Sequence, residues 1–505
     1  MKKIVIWLLV YLLNVYCCSS QSKSDYVWIF GSNAEPLEGS EGSLLIFSSE
    51  GGRDTLYMPM AANIGSNNAS ICDENGRLLF YTNGCAVFDS TFQIMENGDG
   101  INPGSGAAQC DIGNYPGVHN SIIIPDTYSV DKYYYLHKTR NWTEDFNILV
   151  SGIHLTSISF ESEPLGEVLD KNIVIDPDRS TLSGFVEVIQ HQNGKDWWVI
   201  DFTKGPAEHF FLAYLIDEDT ITLQHEVEIE NIASLDLWCS STSQSCFSPD
   251  GTKLAKMCPL TGFDLWDFDR STGMISNYQN LPIETDYSNC GVGISPNSRF
   301  AYLSCIDSLW QIDLWEEDLS VGLELIDTLV RGAEPGTTTN FGYQQLGPDC
   351  KIYMNTIRQY DWLHVINNPD EKGKACDFRQ HSIKLPHLNQ PGSFPNFPHF
   401  RIDEDAVCDP TITSVFGVPI ETVSGMEVYP NPTSGEVTLE LLELLEAVDG
   451  KVMVSDMTGH VVLTVDWDYI QKMQVDLSTL GAGIYLIEVY SGDGRRWVER
   501  VVVID

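Results

Sequence analysis

Basic residues are scarce in this chain. Lys and Arg number 29 against 71 Asp and Glu, a formal net charge of −42 over 505 residues. A surface this acidic repels phosphate backbones and anionic headgroups, which argues against nucleic acid as a partner. Catalytic signatures are missing too: the chain has no G-x-S-x-G, no H-E-x-x-H and no P-loop pattern. No cysteine spacing is C-x-x-C, so a zinc or redox centre has little support. Beyond the first twenty residues no apolar run is long enough to cross a membrane as a helix. No cofactor is expected. Acidic turns such as Asp217-Glu218-Asp219 and Asp264/Asp267/Asp269 offer oxygens of the kind Ca²⁺ takes, without EF-hand spacing. The plainer reading of the same charge is a solvated surface that keeps a secreted protein soluble.

What is present begins with Lys2-Lys3 and the apolar run Ile4 to Val15, then small residues before Gln21. This reads as a secretory signal peptide over residues 1–20. Of the 13 cysteines, setting aside Cys17 and Cys18 leaves eleven, from Cys72 to Cys408. Export permits disulfides, and an odd count leaves at least one thiol unpaired. Cys290 and Cys305 flank the turn at Pro296–Arg299 and would face each other across a hairpin.

The long middle part repeats one local theme: a strand, a polar turn, a basic residue, a second apolar strand. Asp73-Glu74-Asn75-Gly76 leads into Arg77, and Ser248-Pro249-Asp250-Gly251 into Lys253. The landmarks are Arg77, Lys132, Lys195, Lys253, Arg299 and Lys351, at intervals of 55, 63, 58, 46 and 52. A degenerate repeat of this length built of short strands predicts β-propeller blades. Six hairpins are visible. A seventh blade is expected from both ends of the domain, Tyr26–Phe30 early and Phe397–Ile402 late. Phe263–Asp269 and Ser308–Asp313 read as outer strands. Two packed sandwiches are the alternative architecture. The expected division is 21–402 propeller, 403–425 linker and 426–505 a second β domain.

That last stretch alternates apolar and polar residues after a Pro/Gly turn, which predicts strands of a small antiparallel sandwich of immunoglobulin-like size. Gly481 and Gly483 are expected to supply a tight bend. Three motifs stand in order: Tyr429-Pro430-Asn431-Pro432-Thr433-Ser434-Gly435, then Asp456-Met457-Thr458-Gly459 through Val462, then Leu480-Gly481-Ala482-Gly483-Ile484-Tyr485 through Val489. They closely resemble the type A sorting domain of the type IX secretion system of Bacteroidetes. The resemblance covers about 80 residues. It implies export across an outer membrane, the secretion machinery as partner, a location at the cell surface or outside the cell, and cleavage of the domain after transit.

The middle region is similar to large secreted proteins that carry such domains. Trp28-Ile29-Phe30-Gly31-Ser32-Asn33-Ala34 looks like their opening, with Glu35 where a glycine is usual. Asp73 to Gly84, His119–Pro125 and Phe394–Phe397 recur in the same order. This resemblance implies a propeller-like ectodomain without an assigned activity. Cys85 and Cys110 depart from its pattern and could form a local disulfide, which the resemblance does not show.

For chemistry inside the propeller the sequence offers no specific set. His119 and His137, with Tyr133 or Arg140, could be drawn into a polysaccharide-lyase-like centre. A histidine at a strand end is more often packing. The aromatic residues Tyr133–Tyr135, Trp197, Trp198, Trp310, Trp315 and Trp362 could stack on sugars, or fill the space between blades. The expected function is therefore a non-catalytic binding or adhesion module for an extracellular glycan or protein. The alternatives are an enzyme acting on polysaccharide at the propeller channel, and a structural part of the secretion or motility apparatus.

Overall fold

A computed structural model describes residues 22–31, 40–48, 52–60, 63–112, 115–142, 148–177, 179, 181, 184, 186–203, 210–218, 220–229, 243–283, 289–330, 340–356, 360–389, 394–402, 408, 421–422, 426–441, 450–456, 461–467, 472–491 and 495–504. The signal peptide and nearly all of the linker, both read from sequence, lie outside the described residues.

Seven antiparallel sheets follow one another along the chain. Blade 1 holds Val27–Gly31, Ser40–Ser48 and Gly52–Met60, and blade 2 holds Ala69–Cys72, Leu78–Thr82 and Val87–Asp89. Blades 3 to 7 have four strands each, from Ser121–Pro125 in blade 3 to Phe378–Asn389 in blade 7. Buried Val, Ile, Leu and aromatic residues of neighbouring sheets share clusters, as Ile122, Leu136, Val188, Trp197 and Leu212 do between blades 3 and 4. A blade has two apolar faces, so only a ring of blades buries both. The ring closes where Trp28 and Phe47 of blade 1 meet Tyr353 of blade 7, ring centroids 5.1 and 5.6 Å apart.

The repeated turn explains the repeated hairpin. An Asp or Asn side chain accepts backbone N–H groups across each corner: Asp73 from Asn75 and Arg77 at 2.8 and 2.9 Å, Asn193 from Lys195 at 2.9 Å, Asn297 from Arg299 at 3.0 Å. The corner needs a left-handed residue. Gly76, Gly194 and Gly251 supply it in three blades, and Ser298 and Cys350 adopt the same φ in two others.

Phe263–Asp269 and Ser308–Asp313 are third strands rather than outer ones, because Met274–Leu281 and Leu323–Thr328 pair beyond them. In all five four-stranded blades the pairing to the outermost strand slips register. A bulge there twists the free edge away from edge-to-edge association.

Closure differs from expectation in form. The early strand, Val27–Gly31, pairs within blade 1 and runs opposite to Ala69–Cys72, since Cys72 N–H donates to Ser24 O and Ser70 Oγ to Val27 O. The late segment, 397–402, forms no ladder. It lies on the ring axis instead: Asn396 reaches Ser121 O and Val186 O, and His399 Nε2 reaches Phe247 O at 2.9 Å. Two prolines, Pro395 and Pro398, remove donors a strand would need. Arg401 then clasps the start of the chain, with both outer nitrogens 2.7 Å from the Asp25 carboxylate and one 2.8 Å from Ser22 O.

Residues 426–503, with the short strand Glu421–Thr422, form the second unit. A sheet of Met426–Tyr429, Glu436–Leu441 and Lys472–Asp476 faces one of Glu421–Thr422, Arg495–Val503, Gly483–Ser491, Gly450–Asp456 and Val461–Trp467. Val437, Leu439, Leu441, Val452, Val454, Val475, Ile487, Val489 and Trp497 fill the space between them. This is a β-sandwich.

Candidate functional sites: the sorting motifs and the propeller mouth

In the sandwich the first motif is a pinned loop. Asn431 donates to Arg500 O at 2.6 Å and accepts from Val502 N–H at 2.8 Å. Thr433 N–H donates to Val502 O, and Thr433 Oγ accepts from Gly435 N–H at 3.1 Å. The Tyr429 hydroxyl meets Glu440 and Lys472, which pair with each other at 3.1 Å. Pro430 and Pro432 both follow cis peptide bonds. Asp456 ends one strand, and Gly459 lies outside the described residues. The flanking strands pair as a hairpin, Ser455 opposite Val461. The chain turns at Ser478–Thr479 and bends at Leu480 and Ala482, beside the two glycines Gly481 and Gly483, before the strand Gly483–Ser491. Neither glycine has positive φ, a Cβ at Gly481 would meet nothing within 4 Å, and one at Gly483 only the Tyr485 ring at 3.5 Å. The Tyr485 hydroxyl donates to Gly481 O at 2.9 Å.

Three disulfides are complete within the described residues. Cys290–Cys305 joins the first two strands of blade 6, Cys85–Cys110 links blade 2 to the 3-10 helix Ser105–Ile112, and Cys350–Cys408 ties a blade 7 turn to the chain beyond the axis. Cys258 is also disulfide-bonded, and Cys72, Cys246 and Cys376 are free.

Among the described residues the propeller axis is closely packed. Gln244 of blade 5 accepts from Val292 N–H and Gln344 N–H, at 3.1 and 2.8 Å, and donates to Gln344 O, so one side chain bridges blades 5, 6 and 7. Between these strands and residues 396–399 a cavity of about 30 Å³ remains.

At the end of the axis where the inner strands of blades 2 to 7 begin, polar side chains gather. Lys138 of blade 3 and Asp201 of blade 4 form a fully buried ion pair at 2.5 Å. Glu187 accepts from Ser245 Oγ at 2.6 Å, and burial pushes its carboxyl up to about 8. Burial likewise pushes Asp201 up to about 6 and Lys138 down, against their mutual attraction. His119 is 5% exposed, sits at φ +55° and packs on the Tyr343 ring at 5.7 Å. Burial pushes it down to about 4, so it is neutral.

Of the four residues considered for a lyase-like centre, His119 and Arg140 belong to this mouth. His137 does not: Asn102 and Thr156 hold its ring nitrogens at 2.7 and 2.9 Å. Tyr133 packs between Phe80 and Phe160. Lys138, Asp201 and Glu187 went unread in the sequence, since strands of two separate blades supply them. Among the aromatics, Trp197 and Trp198 are core, while Trp315 is 67% exposed beneath the Arg299 guanidinium. In the acidic turn Asp264 accepts from Tyr278 and Asn280, Asp267 pairs with Lys253, and Asp269 caps its own turn through Ser271. Among the described residues no helix is long and apolar enough to span a membrane.

No curated protein matches the chain. Among solved structures, the periplasmic gluconolactonase PpgL of Pseudomonas aeruginosa is 11% identical, with 95% of this chain and all of that one covered and a TM-score of 0.37. A Lactobacillus plantarum protein is 13% identical, covering 90% and 99%, TM-score 0.34. The Cps50 (Swd1) β-propeller domain of Myceliophteria thermophila is 11% identical, covering 67% and 94%, TM-score 0.35. The propeller itself is read from the seven sheets. Residues 427–504 match the model of the secretion system C-terminal sorting domain. The chain thus carries, behind its propeller, a type IX secretion sorting domain that engages the type IX machinery and takes it to the cell surface or beyond.

Proposed function

We propose that the propeller is a non-catalytic binding module, delivered outside the cell by the sorting sandwich. The filled axis carries this reading. Pockets for small molecules run to several hundred Å³, and the cavity that the described residues leave on the axis is about 30 Å³. The buried carboxylates near it are engaged, Asp201 by Lys138 and Glu187 by Ser245. That leaves the channel poorly suited to hold and cut a polysaccharide. The loops and the polar mouth are then the working surface, and a glycan or protein outside the cell is the partner. An enzyme remains the second reading because His119 and Arg140 both lie at that mouth, joined through Gly117. The test is to incubate the purified exported protein with acidic and neutral polysaccharides and record both retention and new chain ends. Retention without scission is the expected result. Steady release of new reducing or unsaturated ends would overturn it.

A further inference from the structure

Arg140 is the outlier among the buried cations. Arg401 has Asp25 and Lys138 has Asp201, each within 2.7 Å. Arg140 is 8% exposed, yet among the described residues no hydrogen bond and no carboxylate reaches its guanidinium, and Nε is buried without a partner. Burial pushes its pKa down, with Tyr115 working against the shift and no carboxylate to help it. Removing a charge from water without a partner is costly. The chain has no shortage of partners, with 71 acidic residues to 29 basic ones.

Its surroundings are unsatisfied in the same way. The Tyr115 hydroxyl fixes the Arg140 backbone, accepting from its N–H at 2.6 Å. Gly117 lies against Arg140 Cδ, and His119, two residues on, leaves both ring nitrogens unpartnered. The Tyr343 hydroxyl, against whose ring His119 packs, is buried and unpartnered, as is Nδ2 of the nearby Asn355. Asn67, in contact with the Gly84–Tyr115 corner, leaves both amide atoms unpartnered. Native interiors rarely leave such groups empty-handed. His119 also holds a left-handed φ that a non-glycine residue adopts at a cost, a feature that gathers at ligand sites.

We infer that this mouth is a binding site for a small hydroxylated carboxylate, with Arg140 as its anchor. A guanidinium presents a planar fork matched to a carboxylate. One unpaired cation suits one negative charge better than a phosphate dianion, because Lys138 is already neutralised by Asp201. The unpartnered neutral groups of this end of the axis, His119, Asn67, Asn355 and Tyr343, donate and accept as hydroxyls require. Glu187, protonated below about pH 8, adds no repulsion. A uronic-acid residue of an extracellular glycan has this chemistry. The inference rests on the binding-module reading and names its ligand class.

The test is calorimetric titration of the full exported protein with D-glucuronate and D-galacturonate, with D-glucose and inorganic phosphate as comparisons. At least one uronate should bind about tenfold or more tightly than glucose, as a charge-assisted pair implies. Arg140→Lys should weaken binding about tenfold by losing the fork. Arg140→Met should abolish it while melting at or above the parent temperature, because an uncompensated charge has left the interior. A parent that binds no uronate, one that prefers phosphate, or an Arg140→Met variant that binds equally well or melts lower would each overturn the site. Polysaccharide scission by a chain whose Arg140→Met variant loses uronate would sink the non-catalytic reading and leave the site standing. Polysaccharide retention unchanged in Arg140→Met would do the reverse.

Discussion

Glu187 and His119 stand at the same mouth and respond to pH in opposite senses. In the unfolded chain Glu187 titrates near 4.5, and in the fold near 8. Between those values the folded protein holds a proton that the unfolded one has released. Stability from this group is therefore complete below 4.5 and is lost as pH rises towards 8. His119 falls from 6.5 to about 4 on folding, so its contribution is present above 6.5 and lost as pH drops towards 4. Glu187→Gln should flatten the decline in melting temperature from pH 4.5 to 8 and leave the acid limb in place. A parent-like slope in that variant would place the titrating group elsewhere. Little of this was legible beforehand. A strand residue such as Lys138 looks like any other basic position until the next blade brings Asp201 against it. His119 and Arg140 could be singled out as types, but His137, immediately before Lys138, could not be told from them, because its partner Asn102 comes from a different part of the chain.

At the scale of the element, hairpin turns were the most readable part. Their geometry is local: an acceptor side chain at the corner, a left-handed residue, then the basic strand start. Outer strands were unreadable. They are half exposed, as the pattern of Met274–Leu281 shows, and their bulges break the alternation that marks a strand. The closing segment was expected as part of a blade and is not a strand, since Pro395 and Pro398 deny it a ladder. In the sandwich, Gly481 invites an experiment because the fold does not demand it. Gly481→Ala should alter stability by no more than about 0.5 kcal/mol, as for other unconstrained surface positions. If export falls in that variant while denaturant unfolding is unchanged, the glycine serves recognition. A loss of stability matching the loss of export would return it to a folding role.

For the whole molecule, seven blades and a sandwich follow from repeat length and motif order, and both were accessible from sequence. The convergence at the axis was not, because it depends on the ring being closed. Deleting residues 426–505 separates the two units. The truncated chain should fold, since the axial segment and the Arg401–Asp25 clasp lie upstream, and should accumulate in the periplasm instead of reaching the surface. Surface delivery of the truncated protein at the parental level would remove the sandwich from the export step.

The Cys350–Cys408 bond adds a mechanical consequence. Traction applied through the sandwich travels back along the linker to residue 408. There it enters the rim of the seventh blade through a covalent crosslink. Residues 394–402 lie inside the loop this bond closes, so they are shielded from the pull. The propeller can be towed by its tail without being unthreaded from its centre.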